Sequence, residues 1–162
     1  MHNDPIMRGA KGVLFFFLRF LAASVILYLI YTWAGIYYMR VVAYGAKPLL
    51  AIFGHRLVMD RALAITEEIS LNPLIFLSLV IAVSNVALPI KLRAAITGVL
   101  ILTAANSITV FLSFLSFYRG SERLWSGTEF FNLTINFFLP LLLWFLLLPI
   151  RSMIFQPRGE AA

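Results

Sequence analysis

Three groups of polar side chains stand where long apolar runs open, and any chemistry this chain performs belongs to them. They are Glu67, Glu68, Ser70 and Asn72; Asn106, Thr109 and Ser113; and Glu129, Asn132 and Asn136. Spacings of three and four put Asn106, Thr109 and Ser113 on one helical face, and do the same for Glu129, Asn132 and Asn136. Carboxylates so placed suit acid–base work or cation binding, whereas amides and hydroxyls suit holding a peptide or a partner helix. Ser70 beside Glu67 and Glu68 is a weak nucleophile–base candidate, because a hydroxyl needs an activated base and no histidine is nearby in sequence. The chain has no cysteine and two histidines, His2 and His55. Thiol nucleophiles, disulfides, thiolate metal sites and a histidine-based metal cluster are therefore excluded, and no cofactor is expected.

The same residues have plainer readings. Asn106 and Thr109 read first as interhelical hydrogen-bonders, and the three glutamates as solvated interfacial carboxylates. Asn132-Leu133-Thr134 matches the glycosylation sequon but begins a membrane span, so it reads as a chance match. His55 reads as an interfacial side chain and Arg19 as a snorkelling anchor. Ala94 and Gly98, four apart, would let their helix approach a neighbour closely.

The elements that must position these groups follow from composition. With 62% hydrophobic and 12% charged residues and a mean hydropathy of +0.94, 162 residues leave too little polar surface for a soluble domain. An all-α membrane bundle is expected. One apolar run, residues 13–39, is long enough to cross a hydrocarbon core of about 30 Å with tilt and too long for a cleaved signal. Further spans are expected over residues 73–90, 94–118 and 130–150, the last kinked at Pro140. Residues 41–54, interrupted by Lys47-Pro48, read as an interfacial or re-entrant helix. Residues 56–66 lack a clean helical stripe and read as a short hairpin turning near Asp60-Arg61. Residues 1–12 and 156–162 are expected to be cytoplasmic tails around a single bundle over 13–155. The net charge of +6 is scattered in pairs at span ends rather than gathered in a patch. The bilayer and its anionic headgroups, not nucleic acid, are the expected partners.

Basic residues are evenly divided between the two sides, so company decides orientation. The turn over residues 88–94 carries Lys91 and Arg93 without an acid, whereas the opposite loops hold Asp60, Glu67, Glu68, Glu122 and Glu129. Both termini and the Lys91/Arg93 turn are expected in the cytoplasm, and the three polar groups then face a shared outer-leaflet cavity. Asn85, in the inner half of the second span, stands apart from them.

Lys91-Leu92-Arg93-Ala94-Ala95-Ile96-Thr97-Gly98, then Ala105-Asn106-Ser107-Ile108-Thr109, then the run over residues 130–144, resemble the C-terminal part of the exosortase/archaeosortase membrane proteins. The resemblance covers roughly residues 51–148. Those enzymes are cysteine-dependent transpeptidases that process sorting signals on exported proteins. Their pattern places a Cys at the outer start of one span, an Arg three residues after an Asn in the next, and a His opening the last. Here the Asn is kept as Asn106, Thr109 stands at the Arg position, and neither the Cys near residues 69–72 nor the His near 129–132 is present. The resemblance therefore implies a noncatalytic relative in a bacterial cytoplasmic membrane, an accessory whose partner is a sorting enzyme or the sorting segment of an exported protein. The competing readings are a membrane enzyme or lipid-handling protein using Glu67, Glu68 and Glu129, and a structural subunit of a larger complex.

Overall fold

The computed structural model describes residues 5–84 and 86–149. They form five helices and, among the described residues, no strand: α1 Pro5–Ile52, α2 Met59–Ile69, α3 Asn72–Ala82, α4 Leu88–Arg119 and α5 Glu122–Leu147. The α2 and α3 segments follow one another so closely that residues Met59–Ala82 make one apolar passage. With α1, α4 and α5 this gives four passages long and apolar enough to cross a membrane, and the chain is an integral membrane protein.

Two apolar clusters mark the ends of the bundle. At one end Phe76, Val80, Val83, Val86, Ala94, Leu143 and Leu148 pack together, with Phe16 and Trp144 against them. This proximal end gathers the first part of α1, the α3–α4 connection and the end of α5. At the other, distal end Val42, Ala46 and Leu50 of α1 meet Ala62 and Ile69 of α2 and Val110 and Phe114 of α4. Four alternating passages thus bring the first part of α1 and the end of α5 to the same end of the bundle.

Both distal helix ends stop for the same local reason. Gly54 and Gly120 adopt left-handed backbone, with φ of 74° and 56°. Each turns the chain so that two orphan carbonyls are satisfied: His55 N–H donates to Leu50 O and Gly54 N–H to Ala51 O, and likewise Ser121 to Ser116 and Gly120 to Phe117. Ser121 then caps α5 by accepting from Leu124 N–H at 3.3 Å. His55 stacks on Tyr118 at 4.4 Å between ring centroids, and the Tyr118 hydroxyl donates to Arg56 O at 2.8 Å, closing the first distal loop onto α4.

Three expectations are corrected. The interfacial or re-entrant helix over 41–54 is the continuation of α1, which runs unbroken through Pro48. Val42, Ala43, Ala46 and Leu50 recur at helical spacing and are fully buried, so packing against α2 and α4 outweighs the one backbone bond that Pro48 removes. At about 1.5 Å per residue α1 is about 72 Å long, more than twice the hydrocarbon thickness. The hairpin over 56–66 is instead the first part of α2, whose buried face is Ala62, Thr66 and Ile69. A stripe made of Ala and Thr is easily overlooked. Thr66 fits it because its hydroxyl donates to Ala62 O at 2.6 Å. Consequently the second passage runs Met59–Ala82 rather than 73–90, and residues 88–90 start α4 with Pro89 in its first turn, where a missing N–H costs nothing. The span expected over 130–150 begins earlier, at Glu122, and its helix continues past Pro140 to Leu147. The expected tail over 1–12 is helical from Pro5 onward, and the tail over 156–162 and Asn85 lie outside the described residues.

Glycines set two close approaches. A Cβ on Gly98 would collide with the Phe76 ring, so α3 lies tight on the Ala94/Gly98 face of α4. On Gly45 it would meet Ser107 Oγ, where α1 crosses α4.

Candidate functional site

The polar residues separate into a buried network and an open groove, and one local break connects the two. Between α2 and α3 the chain passes through Ser70 and Leu71, both with φ near −80° and ψ of 0° and −19°. Pro73 follows in the first turn of α3 and has no N–H to give to the carbonyl four residues earlier, that of Ile69. In a hydrocarbon setting this carbonyl needs another donor. Asn106 supplies it: its Nδ2 lies 3.4 Å from Ile69 O.

Asn106 is the hub of the network. Its amide and that of Asn72 bond reciprocally, Asn72 Nδ2 to Asn106 Oδ1 at 2.9 Å and Asn106 Nδ2 to Asn72 Oδ1 at 3.1 Å. Asn106 Nδ2 also donates to the Tyr38 hydroxyl at 2.9 Å. Two turns earlier along α1, Tyr31 meets the Ser70 hydroxyl, whose other contact is Glu67 O at 3.2 Å. Ser107 Oγ reaches Val42 O at 3.0 Å. Asn72, Asn106 and Ser70 are buried to within about 1% of completely, and no buried side-chain nitrogen or oxygen among the described residues lacks a partner. A buried network in which each polar atom has a partner ties α1, α3 and α4 together, with the two Asn106 N–H groups shared among three acceptors.

On the other side of Ile69 lies a cavity of about 320 Å³ in the distal half. Glu68 and Ile65 of α2 form one wall, Trp125, Thr128, Glu129, Asn132 and Leu133 of α5 the other, and Thr109 and Ser113 of α4 the floor. It exists because α4 packs extensively against α5 and more sparingly against α2, while α2 and α5 do not pack closely on each other, leaving a groove between them.

Its polar groups are mostly acceptors. Thr109 commits its proton to Ala105 O at 3.2 Å, Ser113 to Thr109 O at 2.9 Å and Thr128 to Leu124 O at 2.7 Å. A hydroxyl that donates backward along its helix has only lone pairs left to present. Trp125 Nε1 is spent on Glu129 Oε1 at 2.8 Å. Asn132 Oδ1 accepts from Asn136 at 2.7 Å, which leaves the Asn132 amide nitrogen as the one donor without a partner among the described lining residues. Both Glu68 and Glu129 are exposed, and among the described residues neither forms an ion pair. Two carboxylates and three hydroxyl oxygens facing one space, with a single spare donor, suit a group that is all donor and positively charged: an ammonium with three N–H bonds or a guanidinium with five.

Arg61 lies outside the groove lining, toward the distal end of α2. It lies on the α2 face that carries Ile65 and Glu68, and its guanidinium rests over the Phe117 ring at 3.5 Å, with Phe114 at 6.0 Å.

The structure therefore brings Glu68, Thr109, Ser113, Glu129 and Asn132 to the groove and takes Ser70, Asn72 and Asn106 into the network behind it. Glu67 points outward with its carboxylate exposed, and Asn136 is half-buried and reaches the site only through Asn132. The stripe expected over Glu129, Asn132 and Asn136 keeps its face but starts about one turn earlier, at Trp125 and Thr128, and Asn136 does not line the groove. Tyr31, Tyr38, Arg61, Trp125 and Thr128 escape sequence reasoning. For Trp125, Thr128 and Asn132 the signal is present as spacing of three and four, hidden by the unmarked start of α5; for the tyrosines it is masked by their resemblance to a membrane aromatic belt. No protein-family model, no curated protein and no solved structure matches this chain.

Proposed function

We propose that this protein is a noncatalytic membrane component whose lateral groove holds a basic segment of another polypeptide, as an accessory of a surface-protein sorting or export system of the kind the exosortase resemblance implies. The observation that carries this reading is the acceptor-rich polar lining, with two carboxylates and one spare donor, of a groove that opens between α2 and α5. Ser70, the hydroxyl nearest the α2 carboxylates, is buried against Tyr31 and the Glu67 carbonyl, which argues against its acting as a nucleophile toward a bound peptide.

The proximal end carries Arg19, Lys91 and Arg93, and every acid among the described residues lies in the distal half. By the positive-inside rule the proximal end, with the first part of α1 and the end of α5, is cytoplasmic, and the groove faces the outer leaflet of a bacterial cytoplasmic membrane.

The amine of a phospholipid headgroup is the competing occupant, and the order of charges disfavours it. In a bilayer that amine lies on the water side of its phosphate. Along α2, however, Arg61 is nearer the water and Glu68 nearer the membrane centre, so a seated headgroup would set phosphate against carboxylate and amine against guanidinium. A lysine or arginine side chain reaching outward from a membrane segment meets no such conflict.

Ser113→Phe tests the reading, because it fills the groove floor without touching the Asn72–Asn106 network. In cells that encode this chain, the variant should insert normally and lose processing of exported proteins that end in a membrane anchor. Normal processing with a filled groove refutes the proposal.

A further inference from the structure

A second crevice lies at the proximal end, remote from the groove and independent of its proposed use. It has a volume of about 490 Å³ and is bounded by Ala22, Ala23 and Ile26 of α1 and by Ile81, Val83 and Ser84 at the end of α3, with Arg19 and Lys91 also on its rim. The two alanines leave the space that larger side chains on α1 would fill.

Arg19 is an unusual residue to find here. Six apolar residues, Val13 to Leu18, precede it and another apolar stretch follows, so it sits inside its span rather than at the edge. Among the described residues it makes no hydrogen bond and no ion pair. A cation inside an apolar run is costly unless it has a counter-charge or reaches the interface. Lys91 approaches the same crevice from the first turn of α4, and its Nζ donates to Ile81 O at 3.4 Å, one of the carbonyls that α3 leaves open where it ends. That contact uses one ammonium donor and leaves two. The first-turn amides of α4 add the positive end of a helix dipole. No acid among the described residues lies at this end to neutralise the pair, and Ser84 contributes a hydroxyl.

We infer that this crevice binds an acidic phospholipid, its phosphate held between Arg19 and Lys91 and an acyl chain lying along the apolar wall of Ala22, Ala23 and Ile26. The donors suit the ligand in sign and geometry. A phosphodiester carries one negative charge shared by two non-bridging oxygens, the guanidinium can take both, and the ammonium and Ser84 complete the shell. The inner leaflet supplies such lipids in bulk at the height of an interfacial cation. The site gives Arg19 a counter-charge that no described acid provides, and it ties α1 to the end of α3 and the start of α4.

Native mass spectrometry of the full chain, released from mixed micelles holding equal phosphatidylglycerol and phosphatidylcholine with identical tails, reads the preference directly. The wild type should retain phosphatidylglycerol at least tenfold over phosphatidylcholine. In the Arg19→Gln/Lys91→Gln variant the ratio should fall below about threefold, while Arg93→Gln, an exposed cation of the same end outside the crevice, should keep it. Absence of a preference in the wild type, or its persistence in the double variant, overturns the inference. A preference that millimolar inorganic phosphate removes as well as added phosphatidylglycerol does would assign the site to a free anion and overturn the lipid. Circular dichroism of each variant in the same micelles shows that the comparison is between folded proteins, and a single Arg19→Gln substitution, exposed and unpaired, provides the readout should the double variant fail to fold.

Discussion

Replacing Asn106 with leucine removes the hub of the buried network while keeping its volume close to constant. Three partners lose a bond: the Asn72 amide, the Tyr38 hydroxyl and the Ile69 carbonyl that Pro73 leaves open. At about 0.6 kcal/mol per interhelical hydrogen bond in a bilayer, the loss is about 2 kcal/mol. Stranding a buried amide adds a desolvation cost of about 1–3 kcal/mol, so about 3–5 kcal/mol is expected in total. Reversible unfolding in mixed micelles titrated with dodecyl sulfate measures it. The comparison is with Asn136→Leu, which breaks one half-buried bond within a single helix and should cost about 0.2–0.5 kcal/mol. The double variant Asn72→Leu/Asn106→Leu removes both amides, leaves neither stranded, and should be less destabilised than the sum of the single variants by about 1 kcal/mol. If Asn106→Leu unfolds within about 0.5 kcal/mol of the wild type, or if the two leucines are strictly additive, the network does not hold the bundle as described.

Gly98→Val should destabilise by about 1–3 kcal/mol in the same titration, because its Cβ must displace the Phe76 ring; shortening that ring in a Gly98→Val/Phe76→Leu variant should recover part of the loss. The absence of native cysteine makes topology directly readable. A cysteine at Gly54 should react with a membrane-impermeant maleimide added to intact cells, and one at Leu92 only after the membrane is opened; the reverse pattern inverts the assigned orientation.

The fold was legible wherever one residue type dominated a stretch and illegible where small or polar residues carried the packing. Long apolar runs announce membrane passages because no other solvent tolerates them, and all four are present. The boundaries of the second went astray because α2 buries Ala62 and Thr66, which weigh little on any hydrophobic scale. Lys47-Pro48 suggests an interruption in α1, yet the stripe of Val42, Ala43, Ala46 and Leu50 already marks one continuous helix. Pro89 is informative in the opposite direction: it signals a helix start, and reading it so would have placed residues 88–90 in α4.

The site was legible by face but not by partner. Spacing identifies Asn106, Thr109 and Ser113 as neighbours on α4, but nothing local says that Asn106 turns to Asn72, 34 residues away, while Thr109 and Ser113 turn to α5. That division depends on how α4 is rotated between its neighbours. The rotation is fixed in part by Phe76 against Gly98 and Ser107 beside Gly45, contacts between elements that a periodicity argument does not contain.

The central claim is that the α2–α5 groove is occupied by a basic polypeptide segment, and site-specific photocrosslinking in native membranes tests it most directly. A benzophenone side chain in place of Leu133, in the groove wall, is compared with one in place of Phe138, which is 69% exposed and does not line the groove. The account predicts a polypeptide adduct at Leu133 whose crosslinked peptide contains lysine or arginine, its loss in a Glu68→Gln/Glu129→Gln background, and only lipid adducts at Phe138. Lipid adducts alone at both positions, or a polypeptide adduct indifferent to the two carboxylates, would contradict it.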